Sequence, residues 1–288
     1  MSKTPGVYIV LEAFVKKIEC FKKVTEHPLS SMKVDFHLHD EYEIILFSSG
    51  GVRYFIEKKS YELVPGDILL IRPGEIHKPT FTTDDTYERI ICSIPTDTLK
   101  KLSVENHMLY DCFINRPHGE NNRLNSTDDE KNELLALFEK LILSKVLPQP
   151  WSPQIILATF LEIMVRLNRI SADETRTPPS HLQHRKLKPI LDYIDTNLES
   201  ELSLALLQKK FYITGSYLCQ IFKKTTGSTL HEYIVYKRIS RAKQLLLKGE
   251  SASHTAFKSG FSDYSNFVRS FRKVTGYSPR EYLKKMLS

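Results

Sequence analysis

Between positions 37 and 95, short runs of β-branched and aromatic residues alternate with turn signals. The runs fall at 43–47, 52–56, 67–71 and 87–92. Gly50-Gly51, Lys58-Lys59-Ser60, Pro65-Gly66-Asp67 and Pro73-Gly74-Glu75 punctuate them. Many short strands at regular spacing predict an antiparallel sandwich or barrel. Residues 1 to about 30 have mixed composition and read as an arm with one or two edge strands. The period changes after position 127. Leu134, Leu135, Leu137, Phe138, Leu141 and Ile142 follow Asp128-Asp129 at helical spacing, and Pro148 and Pro150 end that helix. Ser152-Pro153 open a second helix through Ile155, Ile156, Leu161, Ile163 and Val165. Such a helical hairpin either caps the barrel or pairs with a second subunit.

The stretch 171–185 is polar, lacks periodicity and contains Pro178-Pro179, which predicts an interdomain linker. Everything from Leu187 onward is helical in period. Within it one pattern occurs twice, 49 positions apart: Phe222-Lys223-Lys224 through Gly227 to Glu232-Tyr233 aligns with Phe271-Arg272-Lys273 through Gly276 to Glu281-Tyr282. A repeat of this length is one supersecondary unit used twice. Each copy reads as a short helix, a turn, and a second helix ending in basic residues and a glycine stop. That is a helix-turn-helix unit. In the first, Ser203 caps the leading helix, and the second helix runs from about 215 to 226. In the second, a helix at about 252–258 precedes Gly260-Phe261, and Ser262 or Asp263 caps the helix that follows. A long helix, about 230–247, joins the units and holds them about one DNA turn, roughly 34 Å, apart.

The expected fold is thus α+β and multidomain. Its parts are a sensing domain at 1–127, a helical hairpin at 128–170 suited to dimerisation, a linker at 171–185, and an all-α DNA-binding domain at 186–288. Charge sharpens the division. The last segment carries 18 Lys/Arg against 8 Asp/Glu, and the remainder carries 23 against 26, although the whole chain is +7. A basic half joined to a slightly acidic half is the footprint of a nucleic-acid reader attached to something else. The 4 cysteines (Cys20, Cys92, Cys112, Cys219) form no C-x-x-C pair, which argues against a zinc knuckle or a disulfide framework. No run of about 18 apolar residues predicts a membrane span, and the first residues lack the apolar core of a signal peptide, so cytoplasmic residence is expected.

The base-reading faces follow from the helical stripe. If Leu218, Ile221 and Phe222 face inward, Ser216, Tyr217, Cys219, Gln220 and Lys223 face out. If Phe267, Ser270 and Phe271 face inward, Tyr264, Ser265, Asn266, Val268 and Arg269 face out, with Arg272 and Lys273 one turn on. Arg269 suits guanine, Asn266 or Gln220 suits adenine, and the terminal lysines and arginines suit phosphates. The stretch Gly260-Phe261-Ser262-Asp263 through Ser265, Phe267, Arg269, Phe271-Arg272-Lys273, Gly276, Ser278-Pro279 and Glu281-Tyr282 resembles the signature of AraC/XylS-family transcription regulators. The resemblance covers about the last 100 residues. It implies double-stranded DNA and RNA polymerase as partners, usually with activation of transcription, and no enzymatic activity of its own.

His37-Leu38-His39, Glu43 and the later Pro73-Gly74-Glu75-Ile76-His77 resemble the metal motif of cupins. Two imidazoles on alternate strand positions share a face. Three readings stand. A divalent metal would make a cupin enzyme. A barrel serving only as dimer scaffold would need no ligand. In AraC-type sensor domains, the same pattern lines a pocket for a small effector, often a sugar. On this leading reading His37, His39, Glu43, Arg53, Tyr54, Arg72 and His77 line the pocket. No metal, cofactor or catalytic residue is then expected, and the protein is a homodimer.

Overall fold

The computed structural model describes residues 14–31, 34–104, 107–173 and 187–287. Most of the linker read at 171–185, and residues 1–13 of the N-terminal arm, therefore fall outside the described residues. Seven strands form two antiparallel sheets. The first sheet has the order β1 (Glu19–Thr25), β7 (Tyr87–Pro95), β2 (Glu41–Ser49), β5 (Ile68–Ile71). The second has the order β4 (Lys59–Glu62), β3 (Val52–Ile56), β6 (His77–Phe81). Among the described residues no ladder joins the two sheets, so the expected barrel is an open, cupin-like sandwich. An isolated bridge from His37 to His77 extends the smaller sheet past β6.

The layers explain the burial pattern along the strands. On β2, Ile44, Ile45, Leu46 and Phe47 are all buried because both faces of the sheet are covered. Ile45 and Phe47 join Tyr54, Ile56, Leu69, Ile71 and Tyr87 between the sheets. Ile44 and Leu46 instead meet a helical hairpin, together with Ile90, Cys92 and Ile94 of β7. That hairpin follows a short helix α1 (Thr96–Leu102) and consists of α2 (Asp128–Val146) and α3 (Ser152–Ser171). Thr127 starts α2 with a capping box to Glu130. Leu134, Phe138 and Leu141 of α2, with Ile156, Phe160, Ile163, Met164 and Leu167 of α3, cover the sheet. Capping is thus the observed role of the hairpin's inner face. Leu143, Val146, Leu147, Trp151 and Ile155 of the hairpin remain exposed, away from that face.

The C-terminal part is all helical: α4 (Lys188–Thr196), α5 (Leu204–Phe211), α6 (Gly215–Thr226), α7 (Leu230–Leu247), α8 (Ala252–Lys258), α9 (Tyr264–Thr275) and α10 (Pro279–Leu287). It packs as two clusters, one around Leu207, Leu218, Phe222 and Tyr233, the other around Ile239, Ala242, Phe267, Phe271 and Tyr282. The long α7 supplies residues to both, so the repeat is two small cores on one shaft. Gly260 leads into the second unit with φ +93, and a Cβ there would collide with the Leu198 carbonyl. Both the turn and the close approach therefore require glycine.

Two strands escaped the sequence pattern, β4 and β6. Their polar residues Lys59, Ser60 and Lys78 broke the apolar runs, yet all three are buried. Among them, Lys78 donates to the Gly227 carbonyl at 2.7 Å and to Ser228 Oγ at 2.6 Å, and Ser60 lies 3.4 Å from the Thr225 carbonyl. The polar face of the smaller sheet is the seat of the DNA-binding half. Phe36 and Phe55 enter that seat too, 6.0 and 6.2 Å from the Tyr233 ring.

Candidate nucleic-acid interface and sensor pocket

Each recognition helix is fixed at both ends by local chemistry. Thr214 caps α6 by accepting from the Tyr217 amide, and Asp263 caps α9 by accepting from the Asn266 amide at 2.6 Å. Of the two caps weighed for α9, Asp263 is the one used. Gly227 and Gly276 end the helices in the left-handed conformation, at φ 70 and 79. Leu218 and Phe222 anchor α6, and Phe267 and Phe271 anchor α9. The opposite faces are open: Ser216, Tyr217, Cys219, Gln220, Lys223, Tyr264, Ser265, Asn266, Arg269, Arg272 and Lys273 are all exposed. Val268 departs from the outward reading, since it packs partly against the second core.

Three basic residues of α7 have other employment than DNA phosphates. Arg238 donates to the Leu198 and Ser200 carbonyls, and Arg241 pairs with Glu199. Lys243 is buried and pairs with Asp40 of the sensor at 2.6 Å.

In the sensor, the strand ladders bring His39, Glu43 and His77 together. Glu43 shares the inward face of β2 with Ile45 and Phe47, and His77 enters from the facing sheet. The Nε2 atoms of His39 and His77 each lie 3.3 Å from the same Glu43 carboxylate oxygen. His39 Nδ1 faces the Glu41 carbonyl at 2.9 Å, and His77 Nδ1 faces the Glu75 carbonyl at 2.9 Å. A carbonyl only accepts, so both Nδ1 atoms carry protons and both Nε2 atoms turn to the carboxylate. Burial works against ionisation of His39, but the Glu43 hydrogen bond and charge outweigh it and hold its pKa above the ordinary value. Burial would raise the Glu43 carboxyl; the two imidazoles overcome this and hold it well below the carboxylate range. The imidazolium form of His39 therefore donates Nε2–H to Glu43. Two imidazoles and a carboxylate within 4.8 Å also match the donor set of a divalent transition-metal site, with carbonyls orienting the rings from behind.

His37 and Tyr54 complete the cluster, each stacked on His77 with ring centroids 5.7 and 6.2 Å away. Arg53 and Arg72 do not join it. Arg53 pairs in register with Thr80, on the face of the small sheet opposite Tyr54, and bonds Glu62 at 2.7 Å. Alternation along β3 sends neighbouring residues to opposite faces. Arg72 belongs to the loop before β6, where its amide donates to Glu75. Glu75 stands in the Pro73-Gly74-Glu75 turn, but its own role was not legible in the sequence. It is fully buried and accepts from Arg116, from the Gly119 amide and from Asn122, thereby fixing the loop whose carbonyl orients His77. Glu57 was also missed: it accepts from the Ile76 amide at 2.8 Å and from Lys237 of α7 at 2.7 Å. Glu57 stands in no motif, and the role of each carboxylate is recognisable only by its burial.

Comparison with known proteins agrees with this anatomy. Residues 28–144 match the AraC-like ligand binding domain, and residues 207–285 match the helix-turn-helix domain. The uncharacterized HTH-type transcriptional regulator YdiP of Escherichia coli strain K12 is 26% identical over 254 residues, which span 85% of this chain and 80% of that one. The HTH-type transcriptional activator RhaR of Mannheimia succiniciproducens is 24% identical over 253 residues, 87% of each chain. The HTH-type transcriptional regulator YijO of Escherichia coli strain K12 is 39% identical over 97 residues, 32% of this chain and 33% of that one. These relatives are transcription regulators, not enzymes, and the cupin-enzyme alternative is set aside. No helix among the described residues is long and apolar enough to cross a membrane. A ligand-binding domain seated on two helix-turn-helix units makes this chain a DNA-binding transcription regulator of the AraC/XylS family.

Proposed function

We propose that the chain is a homodimeric transcription activator whose grip on DNA is set by a small carbohydrate held between the two sheets of the sensor. One observation carries the reading. Glu57 holds the backbone of Ile76, next to His77 of the pocket, and at the same time Lys237 of the shaft between the recognition helices. A ligand that favours one arrangement of the His39–Glu43–His77 cluster over another thereby acts on α7. A ligand with equal affinity for both arrangements would shift nothing.

On this reading residues 1–127 sense, 128–170 pair two protomers, 171–185 connect and 186–288 read DNA. The exposed apolar residues of the hairpin, Leu143, Val146, Leu147, Trp151 and Ile155, support the pairing role. Ser216, Tyr217, Cys219, Gln220 and Lys223 read one segment of major groove. Tyr264, Ser265, Asn266, Arg269, Arg272 and Lys273 read a second, about one turn away. His37, His39, Glu43, Tyr54 and His77 line the effector pocket. Activation is supported by the name of RhaR and places RNA polymerase, in the cytoplasm, as the partner beyond DNA. The carbohydrate rests on the resemblance of the sensor.

A melting-temperature screen of the full chain against mono- and oligosaccharides tests it. A ligand at about 100 times its Kd stabilises by about 2.7 kcal/mol. The same compound must then change DNA affinity. A second reading, favoured by the convergence of His39, Glu43 and His77, is a divalent cation as part of the sensing site.

A further inference from the structure

Arg89 lies on the inward face of β7, in register with Phe47 and two residues from Tyr87. It is 5% exposed, and its guanidinium sits 4.1 Å over the Tyr87 ring. No carboxylate among the described residues pairs with it, and its Nη1 atom is buried without a hydrogen-bond partner. The Tyr87 hydroxyl beside it is likewise buried and unpartnered. Tyr54, raised mainly by burial, is also within reach of the Arg89 and Glu43 charges. The facing surfaces of the two sheets thus hold a cation with open donors at one place and the His39–Glu43–His77 cluster at another. Arg89 and Glu43 face Phe47 and Ser93 in the ladder, so the two places are four residues apart, about 13 Å along the strand.

A buried guanidinium is stable in a protein when a carboxylate or phosphate meets its fork of donors. The chain supplies neither here. We infer that the effector is a small polyhydroxylated carboxylic acid, a sugar acid rather than a neutral sugar, with its carboxylate on Arg89 and its hydroxyls toward Glu43 and the histidines. The inference rests on the effector-gated reading and narrows its ligand. One guanidinium matches the charge of one carboxylate. A phosphate dianion would need a second cation. The Tyr87 hydroxyl, buried and unpartnered beside the guanidinium, is placed to donate to the same anion. The sequence offered a faint signal: Arg89 is the lone cation of its strand.

The test is a melting-temperature comparison of the full chain and of Arg89→Met with glucuronate, galacturonate and gluconate, with glucose and galactose, and with glucose 6-phosphate. The acids are expected to raise the melting temperature of the native chain and to leave Arg89→Met unmoved. Ligand-free Arg89→Met should melt no lower than the native chain, because an unpaired buried charge has been removed. A lower ligand-free melting temperature would assign Arg89 a structural partner and overturn the inference. Stabilisation by a neutral sugar that persists in Arg89→Met, or by the phosphate alone, overturns the carboxylate but leaves an effector-gated sensor standing. No response to any of the compounds overturns the sugar acid, and the wider saccharide screen then decides the reading beneath it.

Discussion

Lys237 of the shaft helix donates to Glu57 of the sensor at 2.7 Å, and the other oxygen of that carboxylate holds the Ile76 amide beside His77. Glu57 is 2% exposed, and Lys237 also reaches Asp195 at 3.1 Å. Sensor and reader therefore meet in a dry ion pair rather than through a solvated surface. A buried pair of this kind contributes little net stability as a pair, but removing one partner strands the other charge.

Lys237→Ala is accordingly expected to destabilise the full chain by about 3–5 kcal/mol, since Glu57 keeps its charge in a dry setting. The double variant Glu57→Gln, Lys237→Met should recover most of that loss. Chemical denaturation of the single and double variants checks both statements. A loss below about 1 kcal/mol for Lys237→Ala would mean that water reaches the pair.

Arg269→Ala should weaken specific DNA binding by about 1–3 kcal/mol and relax preference at one base pair. Equal losses on specific and random DNA would reduce Arg269 to a phosphate contact. With about six to eight phosphates neutralised, log K should fall against log salt with a slope of about −5 to −7. A flat salt response would contradict DNA binding through these faces.

The His39–Glu43 pair makes stability depend on pH in a defined direction. The folded pKa of Glu43 lies below its unfolded value, so its contribution is present above the ordinary carboxylate range and fades as pH falls through the folded value. The folded pKa of His39 lies above 6.5, so its contribution is complete below that pH and is lost as pH rises through the folded value. Stability from the pair should thus be greatest between about pH 5 and 6.5. His39→Gln should flatten the alkaline side of the profile. An unchanged profile in that variant would place the proton elsewhere.

Chelation separates the two readings of the same cluster. If the cluster binds an organic effector unaided, EDTA leaves the melting temperature and the effector response unchanged. Stabilisation by zinc or manganese, abolished together by His39→Ala and His77→Ala, would instead make the cation part of the sensing site.

Much of this anatomy was legible in the chain before any coordinates. The repeat, its cap at Ser203, a second cap at Ser262 or Asp263, and its glycine stops at Gly227 and Gly276 are local features, decided within a few residues, and the helices lie where the periodicity placed them. The exposed face of each recognition helix followed from its buried stripe. His39, Glu43 and His77 were readable because side-chain alternation in strands fixes a face. The failures share one cause. Ser60 and Lys78 looked like turn or surface residues because their partners lie more than a hundred residues away, on the reader domain, and Lys59 did so because its partner is the distant Glu120 of the sensor. Arg53 was grouped with Tyr54 because register, which sends the two to opposite faces, is set by pairing partners. Glu57 and Arg89 carry no motif, Glu75 stood out only as part of a turn, and the importance of all three comes from burial that only the assembled layers create.

The central claim is that occupancy of the sensor sets DNA affinity through the Glu57–Lys237 link. The most direct measurement is an anisotropy titration of the full chain on a fragment enriched from random DNA, with and without a ligand that raises the melting temperature. The account predicts that saturating ligand changes affinity about 5-fold or more, and that Glu57→Gln with Lys237→Met erases the difference while DNA binding persists. Equal affinity in the native chain with and without saturating ligand would contradict it.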